Sequence, residues 1–158
     1  MSSRIRALDG LRVVDFSRIL AGPYATMVLS DHGADVIKVE GVPVGDAARV
    51  SGTVFINGES GLFLLWNRGK RSIALDLRHR ESKPIIDALI DTADVLIENF
   101  RPGVADEIGI GFESVSERNP GLIYCSISAF GPDGPLADRP GTDTLIQAMS
   151  GLMALTGE

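Results

Sequence analysis

Basic side chains are concentrated in one short stretch of an otherwise acidic chain. The chain has 158 residues and a formal net charge of −6. Its cationic residues nonetheless cluster between positions 68 and 83, as Arg68, Lys70, Arg71, Arg78, Arg80 and Lys83. Such a local excess suggests a site for a small anion such as a phosphate. The alternative is a solvated basic face without a ligand. The acidic balance of the whole chain argues against bulk nucleic-acid binding.

The motif Asn99-Phe100-Arg101-Pro102-Gly103 is a second candidate for ligand binding. It follows a predicted buried strand, and its side chains suit a nucleotide. Phe100 can stack on an adenine, Asn99 can hydrogen-bond the ligand and Arg101 can pair with a phosphate. The alternative is a loop that proline stiffens and that carries an ordinary arginine.

The turn from Ser17 to Pro23 is a third candidate, because it precedes a predicted helix. The first N–H groups of a helix can bind a phosphate or a carboxylate. A tight turn without a ligand is equally open at this point. The turn lacks the G-x-G-x-x-G pattern, which disfavours an NAD-dependent oxidoreductase. Glu40, at the end of the next predicted strand, is therefore expected to anchor a loop rather than a ribose.

Few residues are arranged for covalent or metal chemistry. Cys125 is the single cysteine and lies in an apolar run, so a buried structural thiol is predicted rather than a nucleophile. His32 and His79 have no partners at metal-ligand spacing, and no metal site is predicted. Asp143 is a candidate carboxylate nucleophile, but its place in the first turn of a predicted helix favours a helix-dipole role.

The composition is that of one soluble globular domain. Hydrophobic residues make up 44% of the chain and charged residues 23%, which is close to the average for such domains. The N-terminus has no apolar targeting segment, and no apolar run approaches the length of a membrane span. We therefore expect a cytoplasmic protein without membrane contact.

Apolar runs alternate with helical patterns, which predicts an α/β fold with a Rossmann-like, doubly wound, mainly parallel sheet. Strands are predicted at 11–16, 35–40, 71–77, 95–98 and 122–128. Helices are predicted from Gly22-Pro23 to Gly33 and at 82–93, 112–118 and 143–155, the last interrupted by Gly151, which suggests close packing by a neighbour. Residues 41–59 and 129–141 are expected to be loops, and the type of 62–66 stays open. Ligands of such sheets bind at the carboxyl ends of the strands, where the loops with Arg78 and Arg101 lie.

Five segments resemble the family III CoA-transferases, the L-carnitine dehydratase/bile-acid-inducible F group. In chain order they are LDGLRVVDFSRILAGPYATMVLSDHGADVIKVE, NRGKRSIALDL, DVLIENFRPG, NPGLIYCSISAFGPDGP and GTDTLIQAMSGLMALTGE. The resemblance runs from Leu8 to Glu158. It implies that residues 1–158 are an incomplete, N-terminal part of the family's large, CoA-binding domain, with the remainder of the fold absent.

The resemblance implies an enzyme that moves CoA between an acyl-CoA thioester and a small free carboxylic acid. In the family, an aspartate attacks the acyl-CoA to give a mixed anhydride and free CoA. A second anhydride and an aspartyl-CoA thioester then lie on the path. That aspartate is expected beyond Glu158 and is not Asp143, so no catalytic residue is assigned in this chain. The family also implies an interlocked homodimer for the full-length protein.

By position, the resemblance nominates as CoA-binding residues Ala21, Leu75, Arg78, Asn99 and Phe100. Arg78 stands where relatives can carry Lys, so a basic group is retained. Lys70 and Arg71 belong to the same matching segment, but a direct contact is less firmly implied for them.

Several positions depart from particular branches of the family. Leu20 and Gly41 stand where some transferases have a polar residue and an arginine, and Glu107 stands where the formyl-CoA transferase branch is basic. A close formyl-CoA:oxalate relative is therefore disfavoured. Thr142 replaces the histidine of the racemase branch, which disfavours racemase chemistry. The alternative function is a truncated, non-catalytic module that binds CoA or a partner and exposes apolar surface.

Overall fold

The computed structural model describes residues 5–157. Its strands are β1 (Arg12–Asp15), β2 (Asp35–Gly41), β3 (Phe55–Ile56), β4 (Glu59–Ser60), β5 (Arg71–Leu75), β6 (Val95–Glu98) and β7 (Ile123–Ser126). Five of them form one parallel sheet, and β3 and β4 form a separate antiparallel hairpin.

The helices connect the strands of the sheet and follow the last one. They are α1 (Ala21–Asp31), α2 (Gly61–Trp66), α3 (Lys83–Asp91), α4 (Val104–Glu107), α5 (Phe112–Arg118), α6 (Asp143–Met149) and α7 (Leu152–Thr156). Short 3₁₀ helices occupy Ala47–Val50 and Arg80–Ser82. Within residues 5–157, no helix is long and apolar enough to cross a membrane.

The strand order β5-β2-β1-β6-β7 confirms the predicted doubly wound sheet. The chain adds β2 and β5 on one side of β1, then crosses over and adds β6 and β7 on the other. The direction of winding thus reverses between β1 and β6. In open parallel sheets, the crevice at such a reversal is the usual place for a ligand. Here that crevice lies beyond Asp15 and Glu98, at the carboxyl ends of β1 and β6.

Apolar side chains fill both faces of the sheet, as expected for parallel strands covered by helices. One cluster joins the sheet to α3 and α5, and its buried members include Val14, Phe16, Val39, Ile86, Ile90, Leu96 and Val115. The other lies on the face of α1 and comprises Val13, Ala34, Val36, Val95 and Ile97, with Leu29 and Cys125 packed against it.

Two glycines define the ends of α1. Gly33 has a φ of +114° and ends the helix in the left-handed region, at the residue where the sequence predicts the helix to end. A Cβ on Gly22 would lie 2.1 Å from the Ser17 Cβ, so only glycine lets the helix begin this close to the end of β1. The helix begins at Ala21, so Pro23 lies inside the first turn rather than at its first position.

The structure differs from the sequence-based prediction in one segment and adds detail in two others. The segment 41–59 contains a 3₁₀ helix and most of the hairpin rather than only an irregular loop. Residues 62–66, whose type the sequence left open, lie in α2. Gly151 separates α6 from α7 with a φ of +79°, and a Cβ there would meet nothing within 4 Å. Within residues 5–157 nothing packs closely against Gly151, and the left-handed backbone by itself favours glycine there.

Replacing Gly22 by Ala tests the close approach of α1 to β1. The added methyl would overlap the Ser17 side chain, which is buried and hydrogen-bonded to Asp15. We expect the free energy of unfolding to fall by about 2–3 kcal/mol, as for other overpacking substitutions. Urea denaturation measures this. The matched control is Gly121→Ala, whose new Cβ would have its nearest neighbour 3.8 Å away. Equal losses in the two variants would contradict the close approach.

Candidate functional site

The loops after β1 and β6 meet at the switch-point crevice. The Arg18 N–H donates to Asn99 Oδ1 at 2.7 Å, and Asn99 Nδ2 donates to the Arg18 carbonyl at 2.9 Å. The Arg18 guanidinium lies over the Phe100 ring, with its Cζ 4.9 Å from the ring centroid. The turn from Ser17 to Pro23 and the motif from Asn99 to Gly103 therefore border one crevice.

Ile19, in the turn after β1, has an unfavourable backbone conformation. Its φ of +68° lies in the left-handed region, which costs an L-residue about 1–2 kcal/mol and is rare for β-branched side chains. Its side chain is 55% exposed, so burial in the core does not explain this. The Ile19 N–H donates to both carboxylate oxygens of Asp46, at 3.0 and 3.2 Å. A conformation enforced in this way is typical of functional sites.

Four buried charged side chains lie behind this turn. Asp15 and Lys38 are register partners in β1 and β2. Lys38 Nζ lies 2.8 Å from Asp46 Oδ2, and Lys70 Nζ lies 3.0 Å from Asp15 Oδ2. None of the four side chains is more than 1% exposed. Two cations and two anions thus neutralise one another, as charges in the interior must.

The buried charges also hold the backbone of the turn. Lys38 Nζ donates to the Ser17 carbonyl at 2.8 Å, and Asp15 accepts from the Ser17 N–H at 2.9 Å. Asp46 holds the Ile19 N–H on the far side of Arg18. Hydrogen bonds from buried ions therefore fix the turn on both sides of Arg18, and the ion cluster determines its shape.

Lys70 connects the same cluster to the start of α1. Its Nζ donates to the Pro23 carbonyl at 2.9 Å and to Asn67 Oδ1 at 2.8 Å, in addition to its pair with Asp15. Asp15 also accepts from Thr26 Oγ1 in α1 at 2.6 Å. Burial lowers the pKa of Lys70 to about 8, although Asp15 favours its charged form. At neutral pH Lys70 is still largely a cation.

Glu40 anchors the segment that supplies Asp46, as the sequence suggests. Its Oε2 accepts from the Asp46 N–H at 2.9 Å and from Arg49 Nε at 2.7 Å, and Ser72 Oγ donates to its Oε1 at 2.6 Å. Burial would raise the pKa of Glu40, but hydrogen bonds from Arg49, Ser72 and the Asp46 amide outweigh it and lower the pKa to about 2. Arg49 in turn lies over Phe63, with its Cζ 3.8 Å from the ring centroid.

The start of α1 borders the crevice with an uncapped first turn. No side chain caps the helix, and its first turn has no acidic residue. Ala21 is exposed at the first helical position. The positive end of the α1 dipole is therefore open to an anion that enters beside Arg18.

The five nominated CoA-binding residues are spread along the carboxyl edge of the sheet. Ala21, Asn99 and Phe100 border the crevice. Leu75 ends β5 and is the register partner of Gly41. Because β5 lies three strand positions from β6, Leu75 is roughly 14 Å from Asn99 at about 4.8 Å per strand. A ligand that touches all of these residues must be elongated.

Arg78 lies in an open groove of about 600 Å³ between the loop after β5 and α4. Its Nη2 is 3.3 Å from Glu107 Oε2, and both side chains are largely exposed. Arg80 and Lys83 add positive charge to the lining, and Asp106 adds negative charge. The groove is thus mixed in charge, and a surface pair such as Arg78–Glu107 contributes little to stability.

The basic stretch between positions 68 and 83 does not form one anion site. Lys70 is buried against Asp15. Other members of the stretch form separate ion pairs, namely Arg68–Asp31, Arg71–Asp35, Arg78–Glu107 and Lys83–Asp87. The prediction of a phosphate site from the local charge excess is wrong for the stretch as a whole, because the strand and helices point these side chains to different partners.

The other chemical candidates have ordinary structural surroundings. Thr142 caps α6 by accepting from the Leu145 N–H at 3.4 Å. Asp143 lies in the first turn and accepts from Gln147 Nε2 at 2.6 Å. Cys125 is partly buried against the core cluster on the α1 face.

The buried ion cluster is not among the sites that the sequence predicts. One signal was available, because Lys38 lies in the middle of the predicted buried strand DVIKVE and a buried lysine needs a partner. Asp15 similarly ends the apolar run LRVVDF. The sequence does not mark Asp46 as a partner for Lys38, because Asp46 lies in a segment without helical or strand periodicity. Arg18 could not be distinguished from its neighbours without the positions of Phe100 and Asn99.

Glu40 predicts a pH dependence of stability. Its pKa is about 2 in the folded protein and 4.5 in the unfolded chain. Its contribution is therefore complete above pH 4.5 and lost as the pH falls towards 2. This difference corresponds to about 3 kcal/mol. We expect Glu40→Gln to weaken the acid dependence of urea denaturation in that range. The exposed Glu113→Gln is the control. An unchanged acid dependence in Glu40→Gln would contradict the prediction.

Comparison with known proteins identifies the family. A sequence model described as CoA-transferase family III matches residues 8–158. Succinyl-CoA:glutarate CoA-transferase of Mus musculus is 45% identical over 153 residues, which cover 97% of this chain and 35% of that protein. Acetyl-CoA:oxalate CoA-transferase of Acetobacter aceti is 46% identical over 149 residues, which cover 94% of this chain and 38% of that protein.

The fold agrees with the sequence comparison. The crystal structure of a CaiB/BaiF family protein from Brucella suis matches with a TM-score of 0.91 and 48% identity, over 98% of this chain and 42% of that one. The chain thus spans well under half the length of these relatives. It has their α/β fold, of which it forms an incomplete N-terminal part, and it belongs to the family III CoA-transferases.

Proposed function

We propose that residues 1–158 are the N-terminal part of the CoA-binding domain of an enzyme that transfers CoA between an acyl-CoA and a free carboxylic acid. The family match across residues 8–158 is the observation that supports this most strongly. The relatives named above are transferases of succinyl-CoA with glutarate and of acetyl-CoA with oxalate. A small dicarboxylic acid is therefore the first acceptor to test.

CoA would lie along the carboxyl edge of the sheet. Phe100 offers an aromatic face to the adenine, and Asn99 retains one side-chain N–H beyond its bonds to Arg18. The N–H groups at Ala21 can receive an oxyanion. Leu75 and the basic side chain of Arg78 extend the same edge towards the groove. The spread of these residues suits an elongated ligand such as CoA.

The proposed reaction is nucleophilic catalysis by an aspartate. A carboxylate oxygen attacks the thioester carbon, the C–S bond breaks, and CoA leaves as the thiolate. The thiolate attacks the aspartyl carbonyl of the anhydride, which releases the donor acid and forms an aspartyl-CoA thioester. The acceptor carboxylate then attacks the aspartyl-CoA thioester, which gives a second anhydride and the CoA thiolate. The thiolate attacks the acceptor carbonyl of this anhydride, which forms the new acyl-CoA and regenerates the aspartate. On the strength of the family resemblance, we place that aspartate beyond Glu158 and do not assign the role to Asp143, which accepts a hydrogen bond from Gln147 in α6.

No metal ion and no nicotinamide takes part in this scheme, since each step exchanges a carboxylate and a thiolate at a carbonyl carbon. We further propose that the full-length protein is an interlocked homodimer and works in the cytoplasm, with acyl-CoA and a small carboxylic acid as its partners. These proposals rest on membership of the family.

A non-catalytic CoA-binding or interaction module is the alternative. Apolar side chains are exposed on β7, α6 and α7, and they include Ile123, Leu145, Met149, Leu152, Met153 and Leu155. A surface of this kind fits contact with further protein, either in the same polypeptide or in a partner. CoA binding without transfer by the full-length protein would favour this alternative.

The transfer reaction is tested on the full-length protein with succinyl-CoA or acetyl-CoA as donor and glutarate or oxalate as acceptor. We expect a new acyl-CoA, identified by mass spectrometry, to form only when both substrates are present. Hydrolysis to free CoA without acceptor-dependent product, or no turnover with any donor and acceptor pair, would contradict the proposed function.

Phe100→Leu tests the aromatic contact with CoA. Base–aromatic stacking contributes about 1–3 kcal/mol, so we expect the dissociation constant for CoA to rise about ten-fold, while leucine keeps the apolar packing of the loop. Isothermal titration of the full-length protein measures this. Phe112→Leu is the matched control, because the Phe112 ring packs edge-to-face on Tyr124 instead. Wild-type affinity in Phe100→Leu would remove Phe100 from the proposed site.

A further inference from the structure

The backbone on either side of Arg18 is held unusually firmly for an exposed turn. The Ser17 carbonyl accepts from buried Lys38, and the Ile19 N–H donates to buried Asp46. The backbone N–H and the backbone carbonyl of Arg18 are both hydrogen-bonded to the Asn99 side chain. Two buried ion pairs and one strained residue thus fix the position from which the Arg18 side chain projects.

The Arg18 guanidinium bridges two loops across the end of β1. It lies over the Phe100 ring after β6, and its Nη2 is 3.6 Å from the position that a Cβ on Gly41 would occupy at the end of β2. This is an ordinary van der Waals distance, so the guanidinium lies directly beside the backbone at the end of β2.

The Arg18 charge is not neutralised by the described protein. Its guanidinium forms no ion pair with a carboxylate of residues 5–157, whereas its neighbours Lys38, Lys70 and Arg49 each form one. The cation–π contact with Phe100 does not use the guanidinium N–H groups as donors to a carboxylate, so they remain available to a ligand. An arginine placed in this way is suited to two parallel hydrogen bonds with an oxyanion.

We propose that Arg18 binds a phosphate group of the CoA ester, which deepens the proposed function and rests on it. A phosphate is favoured over the acyl carboxylate because Arg18 shares Phe100 with the proposed adenine position and lies beside the open start of α1. In the CoA arrangement proposed above, both features contact the nucleotide end of CoA. The 3′-phosphate and the diphosphate offer the same chemistry to the guanidinium.

The test compares Arg18→Met and Arg18→Lys with the wild type, each as the full-length protein. Met keeps an apolar stem over Phe100 but removes the charge, and Lys keeps the charge but removes the planar fork. The matched control is Arg6→Met, because Arg6 is an exposed residue that pairs with Asp9 near the end of α1. Thermal unfolding checks that each variant is folded. Binding of CoA and of 3′-dephospho-CoA is measured by titration calorimetry at two salt concentrations.

We expect Arg18→Met to weaken CoA binding about ten-fold or more, as for the loss of a charge-assisted hydrogen bond. Arg18→Lys should lose less, and Arg6→Met should match the wild type. The loss of CoA affinity in Arg18→Met should be smaller at the higher salt concentration. If Arg18→Met and the wild type bind 3′-dephospho-CoA equally well, Arg18 contacts the 3′-phosphate. If Arg18→Met still binds 3′-dephospho-CoA more weakly, Arg18 contacts the diphosphate. Both results support the proposal.

Unchanged CoA affinity in Arg18→Met would overturn the proposal while leaving the proposed function intact. So would a defect confined to the KM of the carboxylic acid, which would place Arg18 at the acyl carboxylate. If Arg18→Met does not fold, wild-type affinity in Arg18→Lys at both salt concentrations overturns it instead. Failure of the wild-type protein to bind CoA would overturn the proposed function and this inference together.

Discussion

The buried pairs Lys38–Asp46 and Lys70–Asp15 are the constraint on which the rest of the site depends. Removing four charges from water costs several kcal/mol per ion, and the pairs offset this only while their geometry is kept. Loss of one partner would leave a buried charge uncompensated, at a cost of about 3–5 kcal/mol. Apolar side chains could fill the same space between β1, β2 and α1, but they could not hold the carbonyl of Ser17 and the N–H of Ile19.

These two buried ion pairs hold the turn after β1 rigid, and this turn lies where the sheet reverses its direction of winding. β1 and β6 are neighbours in the sheet, but the chain winds away from them in opposite directions, which leaves a crevice between the loops that follow them. Asn99 ties the two loops together through the Arg18 backbone, and Gly22 lets α1 begin directly on Ser17. The crevice is therefore shaped mostly by main chain. The exposed Arg18 side chain and the half-buried Phe100 ring border it, where they can contact a ligand.

Much of this architecture follows from the sequence, and the limits have physical causes. Apolar runs such as LRVVDF and VLIE predict the strands of a parallel sheet. They do so because the burial of a strand depends on its hydrophobicity, which the local sequence encodes. The resemblance identifies the family and nominates residues such as Asn99. The roles of Asp46 and Arg18 depend instead on contacts between segments 27 to 81 residues apart in sequence. Spacing along the chain does not reveal such contacts, so the ion cluster emerges only with the fold.

The central claim is that buried ions shape the turn after β1 so that the crevice between β1 and β6 receives CoA. A crystal structure of the full-length protein with CoA tests this most directly. The account predicts that the nucleotide end of CoA lies between the Arg18 turn and the Asn99–Gly103 loop, with a phosphate oxygen within hydrogen-bonding distance of Arg18 and with Ile19 still left-handed. CoA bound away from this crevice, or a turn that abandons its bonds to Lys38 and Asp46 when CoA binds, would contradict it.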